Sequence, residues 1–242
     1  MQDLDINLDI KQDADIYNKT LRIHEMFYSL QGESSFVGIP TVFIRLTGCP
    51  LRCNYCDTAY AFKGGDIKKI SDILSYVKKF NVQNITITGG EPLAQKNVLA
   101  LMKVLCDLNY IVSIETSGAL DISKIDHRVI KVMDIKTPDS GESHRNLLSN
   151  LNYLSNKDEL KFVICSYQDY LWSKNFIIDN KLTNNLINDL TNKLTTKPNI
   201  LFSPSFGEIN PTDLAEWILA DNLLVRFQFQ LHKFLWGEQQ GK

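Results

Sequence analysis

An α/β fold built on a mostly parallel sheet is predicted by three features of this 242-residue chain. Short β-branched or aromatic runs alternate with segments whose apolar residues recur at helical spacing, the rhythm of strand–helix–strand units. The runs are apolar almost throughout, as strands covered on both faces are. The glycine-, cysteine- and charge-bearing signatures fall just after the ends of these runs, where α/β barrels and open sheets carry their sites.

Residues 1–19 contain five aspartates (Asp3, Asp5, Asp9, Asp13, Asp15) and few large apolar groups. This composition predicts a mobile acidic extension over residues 1–20, ahead of one domain spanning 21–242. From Leu21 the pattern becomes strand-like through Ile23, Met26 and Phe27, then passes into a Gly32-Glu33-Ser34-Ser35 loop. Thr41–Leu46 reads as a buried strand. Ile70, Ile73, Leu74 and Val77 mark a helix, with Ser71 as its expected N-cap. Further strands are expected at Asn84–Thr88, Ile111–Glu115, Val129–Asp134, Leu160–Cys165, Asn199–Phe202 and Leu223–Phe229. Val98, Leu101, Met102 and Leu105 mark a second helix. One or two helices are expected over 166–197, a stretch rich in Asn, Lys and Thr.

Composition narrows the function classes. Hydrophobic residues make up 44% of the chain, the usual share for a water-soluble globular domain. The net charge of −2 gives no basic field for nucleic acid. No apolar run approaches the ~18 residues of a membrane span, and the acidic N-terminus lacks a signal-peptide core. Five cysteines, an odd number, argue against a secreted disulfide scaffold and for a cytoplasmic protein. Cys106 and Cys165 fall in apolar segments and are expected in the core.

The other three cysteines, Cys49, Cys53 and Cys56, sit at i, i+4 and i+7 in the loop after the Thr41–Leu46 run. Thiolates are soft ligands suited to iron–sulfur clusters or to zinc. Three of them around an iron–sulfur cube leave one iron open to a small molecule. Around zinc they need a fourth ligand, and the nearest histidine, His24, lies far upstream. Gly89-Gly90-Glu91-Pro92 follows the next strand, and glycines there allow close backbone approach to a ligand. A plain turn ahead of a helix, with Pro92 in its first turn, is the other reading.

Taken together, the cysteine triplet and the Gly-Gly-Glu-Pro turn resemble the radical S-adenosylmethionine (SAM) enzymes. Phe27-Tyr28-Ser29-Leu30-Gln31-Gly32-Glu33, Phe43-Ile44-Arg45-Leu46, Cys56-Asp57-Thr58, Thr88–Pro92, Glu115-Thr116-Ser117-Gly118 and Gln230-Leu231-His232-Lys233 occur in order. This series resembles the 7-carboxy-7-deazaguanine synthase family over residues 21–242. The resemblance implies a partial (β/α)6-type barrel with N- and C-terminal extensions. It implies a lyase that contracts the ring of 6-carboxy-5,6,7,8-tetrahydropterin with loss of ammonia, in the 7-deazapurine and queuosine tRNA-modification pathway.

The same resemblance implies site residues. Cys49, Cys53 and Cys56 would hold a 4Fe–4S cluster. Tyr55, Gly90, Asp134, Ile135, Lys136, Ser203, Pro204, Ser205 and Phe206 would contact SAM. Leu30, Gln31, Gly32, Glu33, Arg45, Thr88 and His232 would line the pterin, Arg45 pairing with its carboxylate. Thr58 would carry Mg²⁺, a hard cation that takes oxygen ligands. A homodimer and a flavodoxin or ferredoxin electron donor are implied as partners. Two other readings stay open on the sequence: a glycyl-radical activating enzyme and a non-catalytic zinc-binding scaffold.

Overall fold

The computed structural model describes residues 15–182, 197–237 and 239–241. The sheet opens with a hairpin in which β1 (Thr20–Leu30) runs antiparallel to β2 (Pro40–Leu46). A polar four-residue strand, β3 (Asp66–Lys69), pairs antiparallel with the start of β1. From β2 onward every pairing is parallel. β4 (Asn84–Gly89), β5 (Ile111–Thr116), β6 (Ile130–Ile135), β7 (Glu159–Ile164), β8 (Asn199–Pro204) and β9 (Arg226–Phe227) follow in turn. The strand order is β3-β1-β2-β4-β5-β6-β7-β8-β9. This is the mostly parallel α/β sheet that the sequence predicts.

Helices α1 (Ile70–Val77), α2 (Val98–Asp107), α3 (Tyr167–Asp179) and α4 (Pro211–Ala220) form crossovers, and α5 (Leu231–Trp236) follows the last strand. The β5–β6 connection contains no helix, and the β6–β7 connection is made of short 3-10 turns. Ser71 is not the cap of α1. The helix starts one residue earlier, where the Ile70 N–H bonds to Lys19 O and the Asp72 carboxylate accepts from the Lys69 N–H. The expected strand at Leu223–Phe229 shrinks to Arg226–Phe227. Leu223 is still tied back to the α4 end, and Gln228 turns its side chain to another loop. Of the 166–197 stretch, α3 is present, while residues 183–196 lie outside the described residues. So do residues 1–14 of the expected extension. Ile16 and Tyr17 pack partly buried on the core.

The pleat separates two chemistries. Along the parallel strands one parity is mostly apolar and faces the core, as in Val42, Ile44 and Leu46, Ile85 and Ile87, and Leu160, Phe162 and Ile164, all at most 1% exposed. The other parity holds Arg45, Thr86, Thr88, Ser113, Glu115, Asp134 and Lys161, on the concave side. The strands are therefore not apolar on both faces, as the sequence reading expects. At the open side of the curved sheet, the loop after β1 bridges to the far strands. The Ser34 N–H donates to Gln228 Oε1 at 2.7 Å, Gln228 Nε2 donates to Ser34 O, and the Ser35 N–H donates to Glu159 Oε1.

Candidate active site

Strand ends β2, β4, β5, β6 and β7, the cysteine loop and the C-terminal segment enclose one cavity of about 460 Å³. That is a normal size for a small-molecule site. The cysteine loop, Gly89-Gly90, Glu115-Thr116, Asp134, Lys136 and Ser205-Phe206 meet there.

One end is formed by the cysteine loop. Cys49, Cys53 and Cys56 are all free thiols and all line the cavity. Burial pushes each thiol above its ordinary value. Among the described residues, no three His, Cys, Asp or Glu groups are close enough to share a single metal ion. An iron–sulfur cube is a larger body than one ion and holds its ligands further apart. Gly90 lies against this loop, where a Cβ would sit 2.4 Å from Gly48 O and 2.7 Å from Cys49 Cβ. The glycine serves the approach of two loops. The Gly90 and Glu91 amides are already bonded, to Leu46 O and Gly48 O, and are not free for a ligand. Glu91 is fully buried. Its carboxylate accepts from the Leu93 and Ser117 amides and the Thr116 and Ser117 hydroxyls, tying the β4 turn to the end of β5. Tyr55 lies beneath the Lys136 ammonium, 5.8 Å from its ring centre, and its buried hydroxyl has no hydrogen-bond partner among the described residues.

The other end is polar. Gln31 donates to Thr86 Oγ1 at 3.1 Å and to Glu115 Oε1 at 3.3 Å, and Thr88 donates to Glu115 Oε2 at 2.9 Å. Glu33 accepts from Lys161 Nζ at 2.6 Å and from Gln230 Nε2 at 2.7 Å. Burial opposes its charge, but Lys161 and His232 outweigh that and hold its carboxyl down to about 2. Burial and the Glu33 charge together push Glu115 up. Burial pushes His232 below its ordinary value, so its imidazole is neutral at pH 7. Arg45 donates through Nε to Glu25 Oε1 at 2.7 Å, and its guanidinium lies against the Phe27 and Tyr60 rings. Its terminal nitrogens have no hydrogen-bond partner among the described residues. Thr58 Oγ1 donates to Asp57 Oδ1 at 2.8 Å, and Asp57 faces Lys233 at 3.5 Å.

The structure thus brings Leu30, Gln31, Gly32, Glu33, Arg45, Tyr55, Thr58, Thr88, Gly90, Asp134, Lys136, Ser205, Phe206 and His232 to the same cavity as the three thiols. The Ile135 side chain is in the core and Ser203 is 2% exposed; neither lines the cavity. Pro204 lines a neighbouring hollow. Cys165 is not a core residue. It is half-buried just after β7, with its amide bonded to Asp169, and burial pushes its thiol up to about 12.

Residues 43–134 match the Radical SAM superfamily. The chain is 42% identical over 220 residues to the 7-carboxy-7-deazaguanine synthase of Chlorobaculum tepidum, covering 90% of this chain and 94% of that one. The chain belongs to the 7-carboxy-7-deazaguanine synthase family. The Koribacter versatilis member is 39% identical over 230 residues, 89% of this chain and 97% of that one. Among solved structures, QueE from Escherichia coli shares the fold with a TM-score of 0.70 at 23% identity, over 88% of this chain and 95% of that one. Streptococcus suis SuiB, solved with SAM bound, shares it at a TM-score of 0.51 and 17% identity, over 76% of this chain and 45% of that one.

As a 7-carboxy-7-deazaguanine synthase family member the protein is a radical SAM enzyme, and the superfamily brings a 4Fe–4S cluster and SAM as cofactors. The zinc scaffold and the glycyl-radical activating enzyme are set aside. Sequence reasoning missed Lys161, and it carried Glu115 within the Glu115-Thr116-Ser117-Gly118 signature without giving it a role of its own. A signal was available for Lys161: it is a charged residue between Leu160 and Phe162 in a buried parallel strand.

Proposed function

We propose that this enzyme converts 6-carboxy-5,6,7,8-tetrahydropterin to 7-carboxy-7-deazaguanine with release of ammonia, a step toward queuosine and other 7-deazapurines. One observation carries the reading: a single cavity has three thiols at one end and a set of fixed hydrogen-bond partners at the other. Cys49, Cys53 and Cys56 would hold the 4Fe–4S cluster. Bound together, cluster and SAM supply a 5′-deoxyadenosyl radical able to take a hydrogen atom from C6 of the pterin.

The chain's own residues bind and orient. Tyr55 offers a ring face to the adenine of SAM, and Gly90, Asp134, Lys136, Ser205 and Phe206 flank the rest of it. Ile135, Ser203 and Pro204 would contribute through their backbone. Glu33, ionised across the neutral range, accepts from the N–H donors of the pterin's guanidine-like edge. Gln31 and the backbone of Leu30 and Gly32 line the same edge, with Thr88 and His232 completing the walls. The unpartnered Arg45 nitrogens suit the substrate carboxylate, where a planar fork gives paired bonds. Thr58 would share a Mg²⁺ with that carboxylate and waters.

A reduced cytoplasmic setting fits five free cysteines. A flavodoxin or ferredoxin would supply electrons, and the working unit would be a homodimer. The test is an anaerobic assay of reconstituted protein with SAM, reductant and the carboxytetrahydropterin. 7-Carboxy-7-deazaguanine and ammonia are expected; an intact cluster with no product overturns the reading.

A further inference from the structure

Lys161 sits in the middle of β7, and the parallel register places it beside Asp134 of β6. Its side chain is 10% exposed, and its ammonium touches carboxylates belonging to opposite ends of the cavity. Glu33 Oε2 lies at 2.6 Å and Asp134 Oδ1 at 3.3 Å. Each carboxylate has a second donor on its other oxygen. Gln230 Nε2 reaches Glu33 Oε1 at 2.7 Å, and Lys136 Nζ reaches Asp134 Oδ2 at 2.7 Å. The Lys136 ammonium in turn faces the Tyr55 ring. A continuous line of polar contacts therefore runs from Gln230, at the His232 end, to Tyr55 among the thiols. Among the described residues, Lys161 is the one cation bonded to both halves of it.

We propose that Lys161 is a positioning residue that couples the two ends of the cavity, holding Glu33 and Asp134 in register so that a ligand docked at one end improves the fit at the other. The ligands follow the assignments under Proposed function, pterin at Glu33 and SAM at Asp134, and the proposal rests on that reading.

The physical basis is the unequal sharing of one ammonium. Lys161 is drawn more closely to Glu33 than to Asp134. Pterin N–H donors that engage Glu33 take over part of its hydrogen-bonding capacity and weaken its hold on Lys161. The ammonium then has more to give Asp134, which fixes the Asp134 carboxylate in place where SAM docks. A ligand can shift such an arrangement only through contacts that differ between its two states, and these do. By linkage the effect is reciprocal: SAM tightens the pterin by the same factor. The side chain needs to touch neither ligand.

The experiment is calorimetric titration of SAM into the reconstituted enzyme, with and without saturating carboxytetrahydropterin. In the native protein the pterin is expected to tighten SAM by about fivefold or more. In Lys161→Met the factor is expected to fall to about one. Removing one cation from facing carboxylates can also unfold the protein. The double variant Glu115→Gln/Lys161→Met restores the charge balance and leaves Glu33 in place, and the same factor of about one is expected there, with thermal melting verifying the fold. A native factor of one, or full coupling retained in the folded double variant, overturns the proposal. Failure of the native enzyme to bind the pterin at all overturns the substrate assignment and the coupling with it. Pterin binding without coupling overturns the coupling alone.

Discussion

Gly32 and His232 are packed so closely that position 32 has no room for a side chain: a Cβ there would fall 2.2 Å from His232 Nδ1 and 2.9 Å from its Cβ. The Gly32 carbonyl also accepts from the Leu231 amide at 2.9 Å. Loop and C-terminal helix meet on this contact.

Gly32→Ala is therefore expected to push His232 and the start of α5 away from the cavity. Gly32 is not in the left-handed region, so the substitution itself strains no backbone. The KM for the pterin should rise by about tenfold or more, while the melting temperature falls by only a few degrees. Adding His232→Ala should recover part of the loss, because the two residues are in contact. Additive effects in the double variant would show that the contact is not the cause.

Serine at Cys49, Cys53 or Cys56 is expected to abolish visible absorbance and bound iron after anaerobic reconstitution. Cys106→Ala and Cys165→Ala should keep both. Iron and sulfide analysis separates the groups, and iron retained at native level in any one of the first three removes that residue as a ligand.

Arg45→Lys keeps the charge but loses the planar fork. A charge-assisted hydrogen bond is worth about 1.5–3 kcal/mol, so kcat/KM for the pterin should fall by about 10- to 100-fold. SAM affinity measured without the pterin should be unchanged. A variant with native kcat/KM would reduce Arg45 to the partner of Glu25.

Mg²⁺ dependence is expected to trace to Thr58. Thr58→Ala should lose the stimulation by added Mg²⁺, and Thr58→Ser should retain it. Equal Mg²⁺ response in all three proteins places the ion elsewhere.

Glu33 makes stability depend on pH. Its folded value of about 2 lies below the usual 4.5. Its stabilising share is thus fully present above about pH 4.5 and is lost as pH falls toward 2. Glu115, raised by burial and by the Glu33 charge, works in the opposite sense. Urea unfolding at a series of pH values should show the native protein's advantage over Glu33→Gln shrinking between about pH 4.5 and 2. A pH-independent difference would mean that the Glu33–Lys161 pair does not outweigh burial.

The sequence was most informative where chemistry is written as local spacing. The cysteine triplet, the Gly89–Pro92 turn and the strands feeding them could be read directly, because each strand end is followed by its own loop. Contacts between distant segments were not readable in that way. Lys161 looked like a stray charge until the pleat and register turned it inward beside Asp134. β3 was hidden because Asp66-Ile67-Lys68-Lys69 is short and polar, as edge strands are. Gly90 carried the right residue for a reason the sequence did not suggest, the packing of its turn on Gly48 and Cys49. The Arg45 ion pair with Glu25 through Nε, which leaves its terminal nitrogens over, joins residues 20 apart on neighbouring strands.

The clasp between Ser34 and Gln228 joins residues 194 positions apart. The loop bearing Gln31 and Glu33 can fasten to Thr86, Glu115 and Lys161 once their strands exist, but its last clasp waits until a ribosome has passed residue 228. Contacts of such long sequence separation form late, because chain closure must come first. The parallel strands can collapse early during synthesis, but a working cavity is among the last things this chain can make.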